Sequence, residues 1–427
     1  MFDQPRELWL RVHLLLALTV GLLFVVMGVS GSVSLFREEL DGWFNPVLCI
    51  EVSGKAYLPM DKLMAAVETA HPERYGPWTL EMPLNPKRPV TAWYEHPAET
   101  RGKLYAPLMV SVNPYTAEVL ASRLWGDTAV TWISDLHTQL HLGRFGWKLA
   151  GGVGLLLLVS LVSGLYLWWP GWQSLRTAVA IRHDLGLVRW LFDLHRLTGV
   201  TAATLLLILA FTGLNLAFPG FLEALAGSSS MAHGNAGPEV RSTAMPNEHP
   251  VGLAEAVLIA RGPFPHAEVR RITTPAGEMG TYRINLRQRS EVNQRHPFTT
   301  VWVDRWSGQI REVNNPSRFS GLQTFAAWMW PLHTAEAIGY SSRLLWCLAG
   351  LAPLLLYVSG LFRFLHQRGW VRDRAVDFSA VRSGMNALNL CLVQNARRLR
   401  PITLRASVRL IGIVRKARHW ILSWAKV

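Results

Sequence analysis

Cysteine is scarce in this chain of 427 residues. There are three, Cys49, Cys347 and Cys391, and the topology derived below puts one outside, one within and one inside a membrane. They cannot pair, so neither a disulfide framework nor a zinc site is supported. Acidic residues are also few, 29 against 43 Lys and Arg, for a net charge of +14. No Gly-x-Gly-x-x-Gly follows a strand pattern, which removes a nicotinamide or flavin fingerprint. No nucleic-acid motif accompanies the basic excess. That excess is concentrated: from His366 onward 13 Lys and Arg face two acids, Asp373 and Asp377. A basic tail behind a membrane span reads as the cytoplasmic face, held against anionic lipid, rather than as a nucleic-acid surface.

Apolar residues make up 50% of the chain, with 19 tryptophans and a slightly positive mean hydropathy of +0.17. That mixture suits a few membrane spans plus soluble lobes. Residues 12–35 contain no Asp, Glu, Lys or Arg, long enough to cross about 30 Å of hydrocarbon. The run is too long for a signal peptide and reads as a retained helix. The pattern predicts a first span over 8–36, a lobe over 37–130, an interface helix and second span over 131–170, a third span over 190–219, a second lobe over 220–325, and an interface helix and fourth span over 326–366. A basic amphipathic segment over 367–427 carries too many charges to span and reads as a surface-lying helix. Within the lobes, helical spacing at Leu63, Met64 and Val67 and again over 253–260 alternates with strand-like runs at 90–94, 107–112, 282–286 and 299–303. On the interface helix of 128–142, Trp132, Ile133, Leu136 and Leu140 share one side, and Gly143 to Gly146 ends it.

The chain repeats itself. Leu136-His137-Thr138 precedes Val162-Ser163-Gly164, and Leu332-His333-Thr334 precedes Val358-Ser359-Gly360, with equal spacings of 164 − 137 = 27 and 360 − 333 = 27. Residues 110–118 resemble 301–309 as strand, turn, strand. The expected architecture is therefore an α-helical membrane protein with four transmembrane helices and two α+β lobes, built as a tandem duplication of a span–lobe–span unit. Positive charge places the N-terminus, the 170–189 loop and the tail in the cytoplasm and both lobes outside.

Of 14 histidines, four are paired by the duplication. His13 and His195 lie near the cytoplasmic starts of spans one and three. His137 and His333 lie on the outer interface helices. A histidine at a membrane boundary is costly unless paired, hydrogen-bonded or liganded. A metal held by protein alone would want cysteine or carboxylate partners. His137 with His141 forms an i, i+4 pair, but the repeat puts Ala337 opposite His141. Haem needs only axial imidazoles, an apolar slot and small residues that admit the ring. Gly21, Gly151, Gly152, Gly154 and Gly199 are candidates for the last role, and ordinary helix packing is their alternative. Arg11, Arg189, Arg196, Arg144, Lys148 and Arg343 could meet propionates or snorkel to headgroups. Two haems, one near each face, would relay electrons across the bilayer. His13 with His195 and His137 with His333 is the simplest pairing, with His141 a substitute at the outer site and His366 a further candidate at the inner one.

The span–lobe–span halves, the hairpin at 301–308 and Leu-His-Thr before a span resemble the PepSY-associated transmembrane family over about residues 8–366. The first hairpin departs from the pattern, with Asn113 for Asp and Ala117 for Gly. The resemblance implies PepSY-like periplasmic lobes and a Gram-negative inner-membrane protein. It implies a haem-containing ferric-siderophore reductase, with His13, His137, His195 and His333 as haem b ligands. The electron donor would be a quinol or a soluble reductase, and Trp125, Trp132, Trp328 and Trp330 could contact the substrate. A membrane-anchored binding or regulatory protein with structural histidines is the competing reading, and an iron or chelate permease a third.

Overall fold

The computed structural model describes residues 4–52, 54, 56–181, 186–220, 240–243 and 249–373. The expected small-residue linker at 227–237 and the basic tail from residue 374 on lie outside the described residues. The elements in chain order are helices α1 (Gln4–Thr19), α2 (Gly21–Ser34), α3 (Arg37–Phe44) and α4 (Met60–Ala70), then strands β1 (Thr79–Glu81), β2 (Val90–Tyr94), β3 (Leu108–Val112) and β4 (Val119–Leu124). Helices α5 (Ala129–Gln139), α6 (Gly143–Trp168), α7 (Leu187–Ala217) and α8 (Leu253–Arg261) follow. Strands β5 (Glu268–Thr273), β6 (Thr281–Arg287), β7 (Thr300–Asp304) and β8 (Ile310–Asn314) precede helices α9 (Gly321–Ala327), α10 (Met329–His333) and α11 (Tyr340–Gln367).

Among the described residues, three helices are long and apolar enough to cross a membrane: α6, α7 and the 342–367 part of α11. The protein is a membrane protein. Helices α1 and α2 make a fourth span if the pair, bent by 61°, counts as one. One span over 8–36 was expected; it is broken here, and the break has local causes. The Thr19 hydroxyl donates to the Leu15 carbonyl at 2.7 Å. Gly21 follows at the break, and a Cβ there would lie 2.7 Å from the Tyr357 ring. A glycine beside a back-bonding threonine is a recognised place for a helix to bend. The bend lets α1 lie on α6 while α2 runs along α11.

Helices α6, α7 and α11 pack in sequence, and α2 closes the group against α11. A small core of Leu161, Leu206 and Ala352 lies between them. Close approach is made by small residues, because lipid offers no hydrophobic drive to helix association. A Cβ on Gly28 would sit 2.2 Å from the Gly350 carbonyl, and Ser32 donates to the Cys347 carbonyl at 3.1 Å. Leu155, Val162, Leu348 and Val358 point outward, each at least 50% exposed, as a lipid-facing surface requires.

The two predicted lobes are not separate. Their strands join in one eight-stranded antiparallel sheet of order β4-β3-β2-β1-β5-β6-β7-β8. The junction pairs Thr79 with Thr273, Leu80 with Ile272 and Glu81 with Arg271. One face packs on α4 and α8 in a single core that includes Leu63, Val67, Leu80, Val110, Ala256, Ile272 and Val301. The Asp61 carboxylate of α4 accepts from the Leu253 and Ala254 N–H groups at the start of α8, at 3.0 and 3.3 Å, so one lobe caps the other's helix. The sheet's other face is polar and turns toward one end of the bundle. Arg123 holds Asp41 of α3 at 2.7 and 2.9 Å, Arg343 holds Glu39 at 2.7 Å, and Arg295 pairs with both Glu38 and Glu336.

Helix α5 turns a largely polar stripe inward. The inward stripe is Val130, Thr131, Ser134, Asp135 and Gln139, while Trp132 is half exposed. At a membrane boundary the surroundings are apolar, so the polar stripe takes the protein side. The turn into α6 uses the left-handed region at Leu140 (φ 49°) and His141 (φ 55°). Gly146 is required there, since a Cβ would lie 1.7 Å from the Gln139 carbonyl.

Candidate functional site

Each of the four singled-out histidines enters the bundle and meets the same kind of seat on a neighbouring helix. His13 on α1 places Nδ1 at 3.1 Å from the Ser160 carbonyl and 3.0 Å from the Ser163 hydroxyl of α6. His195 on α7 places Nδ1 at 3.0 Å from both the Leu356 carbonyl and the Ser359 hydroxyl of α11. His137 on α5 reaches the Met27 carbonyl of α2 at 2.9 Å. His333 on α10 reaches the Thr212 hydroxyl of α7 at 3.0 Å.

These contacts fix the tautomer. A carbonyl only accepts, so Nδ1 of His13, His137 and His195 carries the proton. The hydroxyls agree. Ser163 spends its own proton on the Ser160 carbonyl (2.8 Å), Ser359 on Leu355 (2.5 Å) and Thr212 on Ile208 (2.6 Å). Each hydroxyl is left to accept from its imidazole. All four rings therefore present an unprotonated Nε2, to which no described residue donates a hydrogen bond. An imidazole anchored through Nδ1–H and free at Nε2 is the arrangement of a metal ligand with its outer-shell acceptor in place.

A glycine lies under every ring. A Cβ on Gly164 would come 3.1 Å from Cε1 of His13, on Gly31 2.7 Å from that of His137, on Gly213 3.0 Å from that of His333, and on Gly360 3.4 Å from that of His195. In each seat the glycine directly follows a Ser or Thr: Ser30, Ser163, Thr212 and Ser359. The seats are exchanged within each half of the chain. The first span's histidine rests on the second span, and the second's interface histidine rests on the first. Histidines of opposite halves then face one another. The rings of His137 and His333 are 6.0 Å apart at 32°, and His195 lies within electrostatic reach of His13.

Other predicted residues are placed differently. His141 stacks on Trp132 with ring centres 4.4 Å apart and stays out of the His137–His333 couple, because its backbone has already turned away. His366 ends α11 with Nδ1 donating to the Val371 carbonyl at 2.9 Å. The candidate cradle glycines have these protein neighbours. Gly21 faces Tyr357, Gly151 faces Phe218 and Gly199 faces Leu356, while Gly152 meets nothing and Gly154 only the backbone and Leu214 of α7. Arg189 and Arg196 both pair with Asp193, which is 1% exposed, at 3.3 and 2.9 Å. Arg11 pairs with Glu7, and Arg144 and Lys148 are exposed. Among the described residues no three or more His, Cys, Asp or Glu side chains converge to hold a metal ion. The potential ligands come in couples only.

A family model for the PepSY-associated TM region matches residues 10–367. The chain belongs to the PepSY-associated transmembrane family. No curated protein matches it. The matched region of this PepSY-associated transmembrane protein contains all four histidines and all four seats. Reading the sequence missed Gly31, Gly213, Ser30 and Thr212, and also the buried Asp193. The signal for the seats was present, since 31 − 13 = 18 and 213 − 195 = 18. It complements the spacing of 27 on the other side of each half.

Proposed function

We propose that this protein is a haem-bearing membrane reductase that passes electrons across the bilayer to a ferric chelate of the siderophore kind. The observation that carries the reading is the common tautomer of His13, His137, His195 and His333, each bound at Nδ1, bare at Nε2 and seated on a glycine.

The residues fit the group. Two imidazoles on one metal, with bonds of about 2 Å, have ring centres roughly 6 Å apart, and His137 and His333 stand at 6.0 Å. Couples of two suit a planar ligand that fills the remaining iron positions itself, where a protein-only site would need more donors. His137 with His333 would hold one haem b on the sheet side, and His13 with His195 a second toward the other face. Haem bound there would supply one-electron transfer. The chain's own part is to fix the ring tautomers through main-chain carbonyls and, for His333, the Thr212 hydroxyl. Glycine in the seat lets the imidazole lie against the neighbouring helix. Ferric iron is hard and tightly held by siderophore oxygens, and one electron converts it to ferrous iron, which those oxygens hold less tightly. The electron would come from a quinol or a soluble reductase. On this reading the sheet stands in the periplasm of an inner-membrane protein, with both termini in the cytoplasm.

The test is an optical spectrum of the detergent-purified protein, oxidised and then reduced with dithionite. A Soret band with sharp reduced α and β bands, at about two haems per chain by pyridine haemochrome, is the expected result. A colourless protein from haem-sufficient cells would overturn the reductase reading in favour of a binding or regulatory module.

A further inference from the structure

Helix α3 is amphipathic, and its faces are set the opposite way from those of a helix in water. Leu40, Trp43, Phe44 and Val47 follow the i, i+3, i+4, i+7 spacing of one helical side, Val47 standing just beyond the helix in the short turn Pro46–Leu48. Glu38, Glu39 and Asp41 fall outside that stripe, and theirs is the side the protein holds. Asp41 takes Arg123 of β4, Glu39 takes Arg343 of α11, and Glu38 pairs with Arg295. The backbone on that side is covered as well, since a Cβ on Gly42 would meet the Arg88 guanidinium. The apolar side is left open. Trp43 is 75% exposed, Phe44 57% and Val47 53%, and the two rings lie against each other with centres 5.4 Å apart. Burying one phenylalanine side chain alone stabilises by about 2 kcal/mol. Single exposed apolar residues are ordinary, but three within five positions on a helix pinned by its polar side mark a contact surface.

The fastenings of α3 identify what lies on its open side. Arg343, held by Glu39 at 2.7 Å, is in the first turn of α11, where that span begins. Helix α3 also starts only three residues after Ser34 ends α2. It therefore sits at the membrane boundary. Asp41 is turned to the sheet and Glu39 to the bundle, so the opposite side of the helix points away from both. Beside the end of a bundle that direction holds lipid headgroups and the start of the acyl chains. The same reversal is present on α5, whose largely polar stripe faces the protein while Trp132 is half exposed.

We propose that α3 is an in-plane lipid anchor. Trp43, Phe44 and Val47 lie in the headgroup–acyl boundary of the leaflet on the sheet side, and through Asp41 and Arg123 they hold the β4 end of the sheet down on the bilayer. The occupant of the open side is lipid, bound by apolar burial and by the preference of aromatic rings for the interface. The acids of α3 are paired within the protein, so the insertion depends neither on anionic lipid nor on salt. The anchor is independent of the reductase reading, because it needs only the membrane.

The experiment uses the full chain in lipid nanodiscs, with its three native cysteines replaced by serine. Trp43→Cys and Val47→Cys are each labelled with a nitroxide, and its collisions with oxygen and with a water-soluble nickel chelate are read by power saturation. Leu348→Cys, at a position 66% exposed on the α11 span, is the lipid reference. Leu258→Cys, at a position 71% exposed on α8, is the water reference. The expected result is preference for oxygen over nickel at positions 43 and 47, corresponding to a depth of about 5–10 Å. The depth should be the same in neutral and anionic lipid and at low and high salt, with the melting temperature of the parent retained. Nickel contact equal to that at position 258 would put the side in water and overturn the proposal. Low collision with both reagents would mean that a second copy or another protein covers it, which overturns the proposal as well. Insertion that needs anionic lipid and is lost in high salt would replace the apolar anchor with electrostatic attachment.

Discussion

At the scale of single residues, the glycine seats make the sharpest demand. A Cβ on Gly31 would lie 2.7 Å from His137 Cε1, closer than carbon atoms in contact approach, so the ring must leave its place. Gly31→Val is expected to halve the haem per chain in the haemochrome assay while the inner couple stays loaded. Gly213→Val should do the same through His333. Gly152→Val is the control, because nothing lies within 4 Å of a Cβ there, and it should keep both. Loss of both haems from Gly31→Val alone would mean that the couples are not independent. The histidines were legible in the sequence because an imidazole inside an apolar run is unusual and the repeat pairs it. The seats were not, because glycine in a membrane helix is ordinary. Only the geometry shows which glycines lie under a ring.

Glu81 supports a second prediction at this scale. Burial acts to raise its carboxyl, but Arg271 and Arg270 overcome it and hold the group at about 2, against an ordinary 4.5. Its folded-state value is depressed, so the stabilisation is fully present above pH 4.5 and is lost as pH falls from there through about 2. Glu81→Gln leaves the buried Arg270 and the partly exposed Arg271 without their counter-charge and should cost about 3 kcal/mol. Acid titration of the melting temperature should then lose its steepest limb in the variant. A limb that persists would assign the acid transition to other carboxylates.

At the scale of elements, periodicity located the spans and most strands within a few residues, and it missed what depends on distant partners. The pairing of β1 with β5 joins residues about 190 apart, such as Leu80 with Ile272, and no local pattern distinguishes it from an exposed edge. The result is one sheet where two lobes were expected. Helix α5 keeps a polar stripe inward and Trp132 half exposed, the reverse of the rule in water, as suits a helix with lipid beside it. The cross-lobe cap gives the element-scale test. Asp61→Ala removes the only carboxylate that accepts from the first turn of α8 among the described residues. It should cost about 1 kcal/mol. Because the capped helix belongs to the shared core, the loss should appear as a lower melting temperature of the whole sheet region in one cooperative step. Two separate transitions would show that the halves of the sheet melt independently.

At the scale of the whole molecule, orientation decides what the electron path can do. The sheet and the His137–His333 couple lie at one end of the bundle, and His13 with His195 lies toward the other. Ion pairs from Arg123, Arg295 and Arg343 to the acids after the first span fasten the sheet to that end. Transfer runs toward a periplasmic substrate only if the sheet end faces the periplasm. Cys49 reports this directly, since it is exposed on the sheet side, whereas Cys347 is part of the α11 span and half-buried. In spheroplasts a membrane-impermeant maleimide should label a protein whose only cysteine is Cys49, without permeabilisation. The variant retaining Cys347 alone should stay unlabelled. If Cys49 reacts only after the membrane is opened, the sheet is cytoplasmic. The His137–His333 couple could not then serve a periplasmic substrate, and the positive loops that argue for the opposite topology would have been outweighed. Haem content would be the same in either orientation, so this labelling tests the direction of the pathway separately from its existence.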